Sequence, residues 1–191
     1  KMAARMNVNI LGSNAYSPWK APFGSIECHE DLDPSFLKQF VLEALEILEY
    51  TNVDADSKWA NYRVANGHKD PYNVKVWCLG NEMDGPWQLG HKTAEDYSTL
   101  AASVARGMRQ IDENLELVIA GSSNRSMPTF GQWEETILEK AYEVIDHVSL
   151  HTYYQDHGNT QEFMVCSTDL DYFINEVCEI ADAVKAKKRS D

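Results

Sequence analysis

The stretch Asn73–Trp87 reads NVKVWCLGNEMDGPW, and it contains the features that decide the fold. Its apolar run, Val74–Leu79, has the length and composition of a buried strand. The run ends in Gly80-Asn81-Glu82, and a Gly-Pro turn follows shortly afterwards. From position alone, a carboxylic acid at the end of a buried strand among tryptophans is as readily structural as catalytic. The stretch therefore predicts a strand and marks Glu82 as a candidate site residue.

The same order, a strand followed by a helix, recurs along the chain. Further strands are predicted at Arg5–Leu11, Leu115–Ala120 and His147–Tyr153, where β-branched and apolar residues cluster. Four consecutive strand-helix units indicate a parallel sheet covered by helices, because parallel strands need a long crossover connection. The fold class is therefore α/β.

The helices have recognisable start signals and apolar stripes. Asp33 and Pro34 supply an N-cap and a first-turn proline for a helix through Tyr50. Another helix is predicted from Gln132 to Ile145. Capping-box patterns open the remaining two at Thr93-x-x-Asp96 and Thr168-x-x-Asp171. The last helix is expected to direct five apolar residues inward: Leu170, Ile174, Val177, Ala181 and Val184.

Two architectures fit four such units. One is a four-stranded doubly wound sheet, and the other is part of a (β/α)₈ barrel, which typically needs about 250 residues. The chain has 191 residues and ends in charged residues where a fifth strand would begin. We expect it to be a segment of a larger catalytic domain.

Charge and composition exclude several classes of function. The net charge is −13, from 17 basic and 30 acidic residues, and no basic stripe appears, so nucleic acid and anionic membranes are not expected partners. No apolar run approaches the roughly 20 residues needed to span a bilayer, and the start lacks the pattern of a signal peptide.

Cysteine and histidine usage predicts neither disulfides nor a metal. The four cysteines are widely spaced, which favours reduced buried thiols and a cytoplasmic protein. Cys28-His29-Glu30 and the series His147, His151 and His157 lack the ligand spacing typical of zinc sites. We expect neither a metal nor another cofactor.

Polar residues collect at the predicted carboxyl ends of the strands, where parallel α/β folds place their chemistry. The third strand is followed by Gly121-Ser122-Ser123-Asn124, and the fourth carries His151 and Tyr153 on one face. Alternation directs Glu82 inward and Asn81 outward, so both can face a ligand only if the backbone kinks near Gly80.

Two kinds of role are open for these residues. Among Trp77, Trp87 and a tyrosine, Glu82 would be poorly solvated, its neutral form would be favoured, and it could donate a proton near neutral pH. Alternatively, Glu82 is a helix-start acid or a buried partner of an arginine. His151 could be a core histidine bonded to a carbonyl, and Tyr153 a packing aromatic. Asp84 is most simply a turn residue.

From Trp77 to Tyr97 the chain reads WCLGNEMDGPWQLGHKTAEDY, which resembles the family 51 glycoside hydrolases, the α-L-arabinofuranosidases. The resemblance extends to DPYNVK, VIAGSSN, MPTFGQWE, HVSLHTYY and the final VKAKKRS, and it covers roughly Glu43 to the C-terminus. It implies a (β/α)₈ barrel of which this chain supplies strands three to six. The other strands and a β-sandwich domain would lie outside residues 1–191.

The resemblance also implies site roles. Glu82 matches the family's general acid/base, Asn81 the residue that binds the sugar 2-hydroxyl, and His151 and Tyr153 the residues that contact the glycone and orient the nucleophile. The nucleophile itself would lie beyond Asp191, so the chain alone is expected to be inactive. The implied function is release of terminal α-L-arabinofuranosyl residues from arabinan or arabinoxylan oligosaccharides by a homo-oligomer, a hexamer in this family. A related barrel xylanase or endoglucanase and a non-catalytic sugar-binding module remain alternatives.

Overall fold

The computed structural model describes residues 34–54, 56–88 and 90–190. The predicted strand Arg5–Leu11 and the Cys28-His29-Glu30 group lie outside these residues. The described part has six helices and three strands, in the order α1 (Pro34–Asn52), α2 (Lys58–Ala65), β1 (Val76–Cys78), α3 (Ala94–Ile111), β2 (Glu116–Ala120), α4 (Gln132–Ala141), β3 (His147–Ser149), α5 (Thr160–Val165) and α6 (Ser167–Ser190). Within it, no helix combines the length and apolar character needed to cross a bilayer.

The three strands form a parallel sheet in the order β1-β2-β3. Trp77 is level with Leu117 in the first pair, and Ile119 is level with Val148 in the second. Parallel strands in chain order occur both in barrels and within one half of a doubly wound sheet. The α/β class with a parallel sheet is thus confirmed.

The core lies between the sheet and one layer of helices. Helices α1, α3, α4 and α6 pack against one another in chain order, as right-handed crossovers on the same face of a sheet require. Apolar stripes at helical spacing meet the buried faces of β1 and β2 there. Fully buried members include Ala44, Leu48, Trp77, Leu79, Tyr97, Leu100, Val104, Met108, Leu117, Ile119, Trp133 and Ile137.

Two of the predicted helix starts are confirmed and one is wrong, while the N-cap predicted at Asp33 lies outside the described residues. Helix α4 begins at Gln132, and the Thr93 side chain caps α3 by accepting a hydrogen bond from the Asp96 amide. Thr168, in contrast, lies inside α6. The short helix α5, capped by Asn159, precedes it, and the Asp169 amide bonds to Cys166 O, so the chain is already helical before Thr168.

The inward face of α6 also differs from the prediction. Val177 and Val184 are buried as expected, but Phe173 is buried in place of Ile174, which is exposed. Phe173 packs edge-on against Phe130, with 5.2 Å between ring centroids. The Phe173 ring fills the inner face of α6 at this point, and Ile174, the next residue along the helix, points outward. Among the described cysteines, Cys78, Cys166 and Cys178 carry free thiols as predicted, but none is buried as expected: Cys78 and Cys166 are half-buried and Cys178 is exposed.

No pattern in the sequence predicted helix α2. It lies within an excursion of the chain, residues 53–73, between α1 and β1. The ends of this excursion are joined by a reciprocal pair of hydrogen bonds, from Asn52 Nδ2 to Val74 O at 2.6 Å and from Val74 N to Asn52 Oδ1 at 2.8 Å. Within it, the buried Arg63 guanidinium donates to Tyr50 O and Val53 O at 2.8 and 2.9 Å. Arg63 thereby satisfies carbonyls at the end of α1.

Candidate active site

The carboxyl ends of β1 and β2 separate around the side chain of Tyr97. The Tyr97 hydroxyl donates to Leu79 O and accepts from the Ala120 amide, both at 2.8 Å, so one oxygen atom replaces a direct strand-to-strand hydrogen bond. Burial raises the pKa of this phenol, which keeps it protonated as a donor. Trp133 stacks on the Tyr97 ring at 5.4 Å and donates to Ala120 O at 3.0 Å.

Beyond this point the backbone turns sharply, as predicted. Gly80 has φ +118°, and a Cβ there would lie 2.8 Å from Met83 Cγ, so both conformation and space require glycine. Glu82 itself has φ +50°, a left-handed conformation uncommon for a residue with a side chain. The kink lets Glu82 leave the strand direction, and its carboxyl group meets His151 after β3.

The carboxylate of Glu82 is held by three side chains. Trp87 Nε1 and Gln88 Nε2 donate to Oε2 at 2.6 and 3.2 Å, and His151 Nδ1 lies 3.1 Å from Oε1. The Glu82 side chain is only 12% exposed. Its partners exclude the alternatives of a helix-start acid and of an arginine-paired acid.

These partners correct the sequence expectation for the proton affinity of Glu82. Burial raises the pKa of the carboxyl group, but hydrogen bonds from Trp87, His151 and Gln88 and the charge of His151 lower it by more. The pKa of Glu82 in this chain therefore lies below its ordinary value of 4.5. The prediction of a favoured neutral form was wrong because it counted Trp87 as an apolar wall, whereas the indole N–H donates to the ionised carboxylate.

The structure brings His151 to the acid and leaves the side chain of Tyr153 exposed. His151 follows β3 and bonds to Glu82, so the alternative of a carbonyl-bonded core histidine is wrong. Tyr153 is 78% exposed. Asn81 is half-buried, and its amide makes no hydrogen bond to the described residues. Three of the four predicted site residues, Glu82, Asn81 and His151, thus lie together at one edge of the sheet.

Two functional neighbours were missed or misjudged. Gln88 is buried and points its amide at Glu82, which its position in the loop after Pro86 did not signal. Asp84 lies in a turn, with Gly85 N bonded to Glu82 O at 3.0 Å, but it is also buried and accepts from the Ser123 amide and hydroxyl. The turn interpretation was therefore incomplete. The Gly-Ser-Ser-Asn stretch after β2, rich in donors, was the available signal.

Histidines at the two ends of β3 serve different carboxylates. His147 bonds to Glu116 at the amino edge, whereas His151 bonds to Glu82 at the carboxyl edge. Among residues 34–54, 56–88 and 90–190, no group of three or more His, Cys, Asp or Glu side chains could hold a metal ion.

A family model described as the alpha-L-arabinofuranosidase 1 domain matches residues 15–171. The chain belongs to this family. The match includes the Glu82 loop, the Ser122-Ser123 loop and His151. It also begins well before Glu43, so the family likeness extends further toward the N-terminus than the sequence analysis expected.

Curated relatives agree with this membership. An exo-α-(1→6)-L-arabinofuranosidase of Bifidobacterium longum is 53% identical over 188 residues, which is 95% of this chain and 36% of the relative. An intracellular exo-α-(1→5)-L-arabinofuranosidase of Acetivibrio thermocellus is 51% identical over 151 residues, or 78% of this chain and 30% of the relative. The chain thus spans about a third of the length of these relatives.

A solved structure has the same fold over most of the chain. The family 51 α-L-arabinofuranosidase from Bifidobacterium longum superposes with a TM-score of 0.74 and 45% sequence identity. The superposition covers 78% of this chain and 30% of that one. The parallel sheet and its helices therefore belong to the catalytic fold of this family.

Proposed function

We propose that the complete protein is a retaining exo-α-L-arabinofuranosidase that releases terminal arabinofuranosyl residues from arabinan or arabinoxylan oligosaccharides. The observation that carries the proposal is the Glu82 carboxyl group, which is nearly buried and oriented by three side chains at the carboxyl edge of a parallel sheet. Family membership and the names of the relatives support the choice of sugar.

In the first step, Glu82 protonates the glycosidic oxygen while a second carboxylate attacks the anomeric carbon. In the second, Glu82 removes a proton from the water that releases the glycosyl enzyme. Retaining hydrolysis places the two carboxyl groups about 5–5.5 Å apart. The second carboxylate is proposed to lie outside residues 1–191, so this chain alone is inactive. No cofactor takes part in either step.

The second carboxylate also explains how Glu82 can be protonated for the first step. The chain's own residues hold the pKa of Glu82 below 4.5, which suits a base but not an acid near neutral pH. A negative charge nearby raises the pKa, because two carboxylates at that distance disfavour double ionisation. Formation of the glycosyl ester removes that charge, and the pKa falls again. Glu82 is then ionised for the step in which it acts as a base.

The other proposed roles follow from position. Asn81, adjacent to the acid and with an amide free of described partners, binds the sugar 2-hydroxyl. His151 orients Glu82 and contacts the glycone. Tyr153 reaches the sugar or the nucleophile from the loop after β3, where its exposed ring is accessible to residues outside this chain.

The chain is proposed to supply strands three to six of a (β/α)₈ barrel, with β1, β2 and β3 as strands four, five and six. The remaining barrel strands and a β-sandwich domain lie in the rest of the protein. We expect a cytoplasmic homo-oligomer, a hexamer as the resemblance implies, with no nucleic-acid or membrane partner. Light scattering of the complete protein tests the assembly, and cell fractionation tests the location.

A panel of 4-nitrophenyl glycosides offered to the complete protein tests the activity. Turnover of the α-L-arabinofuranoside, with little on the β-D-xyloside and β-D-cellobioside, is the expected result. Preference for one of the latter two would identify a related barrel glycosidase. Saturable binding of arabino-oligosaccharides with no turnover would identify a sugar-binding module and overturn the proposal.

A further inference from the structure

We propose that Asp84 is a positioning residue that fixes the acid/base Glu82 by fastening its loop to the end of β2. This inference rests on the proposed function, because it assigns a role within the same site. The Glu82 loop, residues 80–93, joins β1 to α3 and contains the acid as well as two of its three side-chain partners.

Most of the hydrogen bonds around Glu82 are internal to this loop. Trp87 and Gln88 belong to it and would move with Glu82, and the bond from Lys92 N to Met83 O at 2.9 Å also joins two loop residues. These contacts fix the shape of the loop, whereas the burial of Met83 in the core and the hydrogen bonds to other elements fix its position. His151 is the partner of Glu82 that comes from another element.

Asp84 connects the Glu82 loop by hydrogen bonds to the loop that follows β2. The Ser123 amide donates to Asp84 Oδ2 at 3.0 Å and to Oδ1 at 3.2 Å, and the Ser123 hydroxyl donates to Oδ1. Asp84 is 8% exposed and Ser123 is 5% exposed. Hydrogen bonds to an ionised carboxylate are stronger than hydrogen bonds between two neutral groups, so the contact between Asp84 and Ser123 holds the two loops together strongly.

The loop that carries Ser123 is itself held by helix α4. Glu134 in the first turn of α4 accepts from the Ser122 amide at 2.7 Å and from the Gly131 amide at 2.9 Å, and it is fully buried. Two carboxylates thus accept hydrogen bonds from two consecutive amides, Glu134 from that of Ser122 and Asp84 from that of Ser123. The residue before Ser123 is therefore tied to α4, independently of the Glu82 loop.

Glu82 needs such an anchor because of its backbone. Its left-handed φ of +50° is a conformation that persists only when the surroundings impose it. Asp84, two residues later and within the same turn, is placed to impose it. Both Asp84 oxygens are engaged by Ser123, so Asp84 serves as a fastener and not as the second carboxylate of the reaction.

The test uses the complete protein and arabinofuranosides with activated and poor leaving groups, 2,4-dinitrophenyl and methyl. Asp84→Asn keeps the size of the side chain but replaces an accepting oxygen with a donor facing Ser123. We expect kcat/KM to fall by about 10²-fold on the methyl glycoside, the loss expected from misplacing a catalytic group, and much less on the dinitrophenyl glycoside, which needs no proton. Ser123→Ala removes only the hydroxyl, and a smaller loss with the same selectivity is expected.

Asp146→Asn is the matched control. Asp146 also accepts from a backbone amide of β2, that of Leu117 at 2.7 Å, but at the amino edge of the sheet. We expect this variant to lose stability without any change in leaving-group dependence. Equal losses on both substrates for Asp84→Asn, or none, would overturn the inference. If Asp84→Asn does not fold, the selectivity of Ser123→Ala decides in the same way.

Failure of the proposed function gives a different result, because the wild type would then not hydrolyse either arabinofuranoside. In that case crystal structures of the wild-type protein and the variants decide the inference. Displacement of the Glu82 carboxyl group by Asp84→Asn, or by Ser123→Ala if the first variant does not fold, supports the positioning role. An unchanged Glu82 contradicts it.

Discussion

Two glutamate-histidine pairs occupy opposite edges of the same sheet. Glu82 and His151 lie at the carboxyl edge, and Glu116 and His147 lie at the amino edge, with a nitrogen-oxygen distance of 3.1 Å in each pair. The side chain of Glu82 is 12% exposed and that of Glu116 is 57% exposed. Residue types and distances are the same, so burial and additional donors distinguish the candidate catalytic pair from a surface contact.

The same contrast extends to the ends of β2. At the carboxyl edge, Tyr97, Asp84 and Glu134 bond to the backbone from inside the protein, whereas at the amino edge Asp146 does so near the surface with Arg109 as its ion partner. Parallel α/β folds use the first edge for chemistry and the second for stability. Four predictions test whether this division holds.

The largest effect is expected from Glu82→Gln in the complete protein. Loss of the proton donor should lower kcat/KM on methyl or disaccharide substrates by about 10²–10⁴-fold, and far less on activated aryl glycosides. Glu116→Gln, the equivalent change in the other pair, should leave both rates unchanged. Equal losses on the two substrate types for Glu82→Gln would show that Glu82 is not the acid.

The next effect is expected from Tyr97→Phe. Removal of one oxygen leaves Leu79 O and the Ala120 amide buried without this partner, and such groups cost about 1–3 kcal/mol. The urea midpoint of the complete protein should fall accordingly. Tyr62→Phe, at an exposed position on α2, is the control and should have little effect. Similar urea midpoints for the two variants would show that the Tyr97 hydroxyl does not stabilise the carboxyl edge.

Trp87→Phe should change the pH dependence of activity. The indole N–H stabilises the ionised form of Glu82, so its removal raises the pKa of Glu82. The first step needs protonated Glu82, and the alkaline limb of kcat/KM should therefore move to higher pH. Trp59→Phe, far from the acid in α2, should leave the limb in place. A limb that stays fixed or moves to lower pH in Trp87→Phe would contradict the role of the indole.

The smallest effect is expected from the amino-edge pair. Exposed ion pairs contribute about 0–1 kcal/mol, and salt screens them. A double-mutant cycle with Glu116→Gln and His147→Gln, measured by urea unfolding, should give a coupling energy in that range. A coupling well above about 1 kcal/mol would mean that exposure does not separate the two pairs.

Periodicity in the sequence predicted the three described strands and the four long helices, but not the short helices α2 and α5 or the ends of β1 and β3. Strand β1 was extended to Leu79 and β3 to Tyr153, because apolar and alternating residues continue that far, yet they end at Cys78 and Ser149. The Tyr97 hydroxyl enters between the strands at Leu79 and Ala120. An interruption by a side chain from a helix is a tertiary event that local patterns do not encode.

The candidate site shows the same limit. Glu82 and His151 were predicted because a polar residue at the end of an apolar strand is a local signal. Asp84 was not, because its partner Ser123 lies 39 residues away and only the fold brings the two together. The direction of the Glu82 pKa shift depended on which way the Trp87 ring points, and composition does not contain that information.

The reciprocal bonds between Asn52 and Val74 have a consequence for how this domain can vary among its relatives. They close the excursion 53–73 at its base, so its two ends lie side by side whatever the chain does in between. Loops closed in this way tolerate insertions and deletions at small entropic cost. Outside the Arg63 contacts, the excursion is therefore a place where evolution or an engineer can change length, or graft a new segment, without shifting β1 or the residues that follow it.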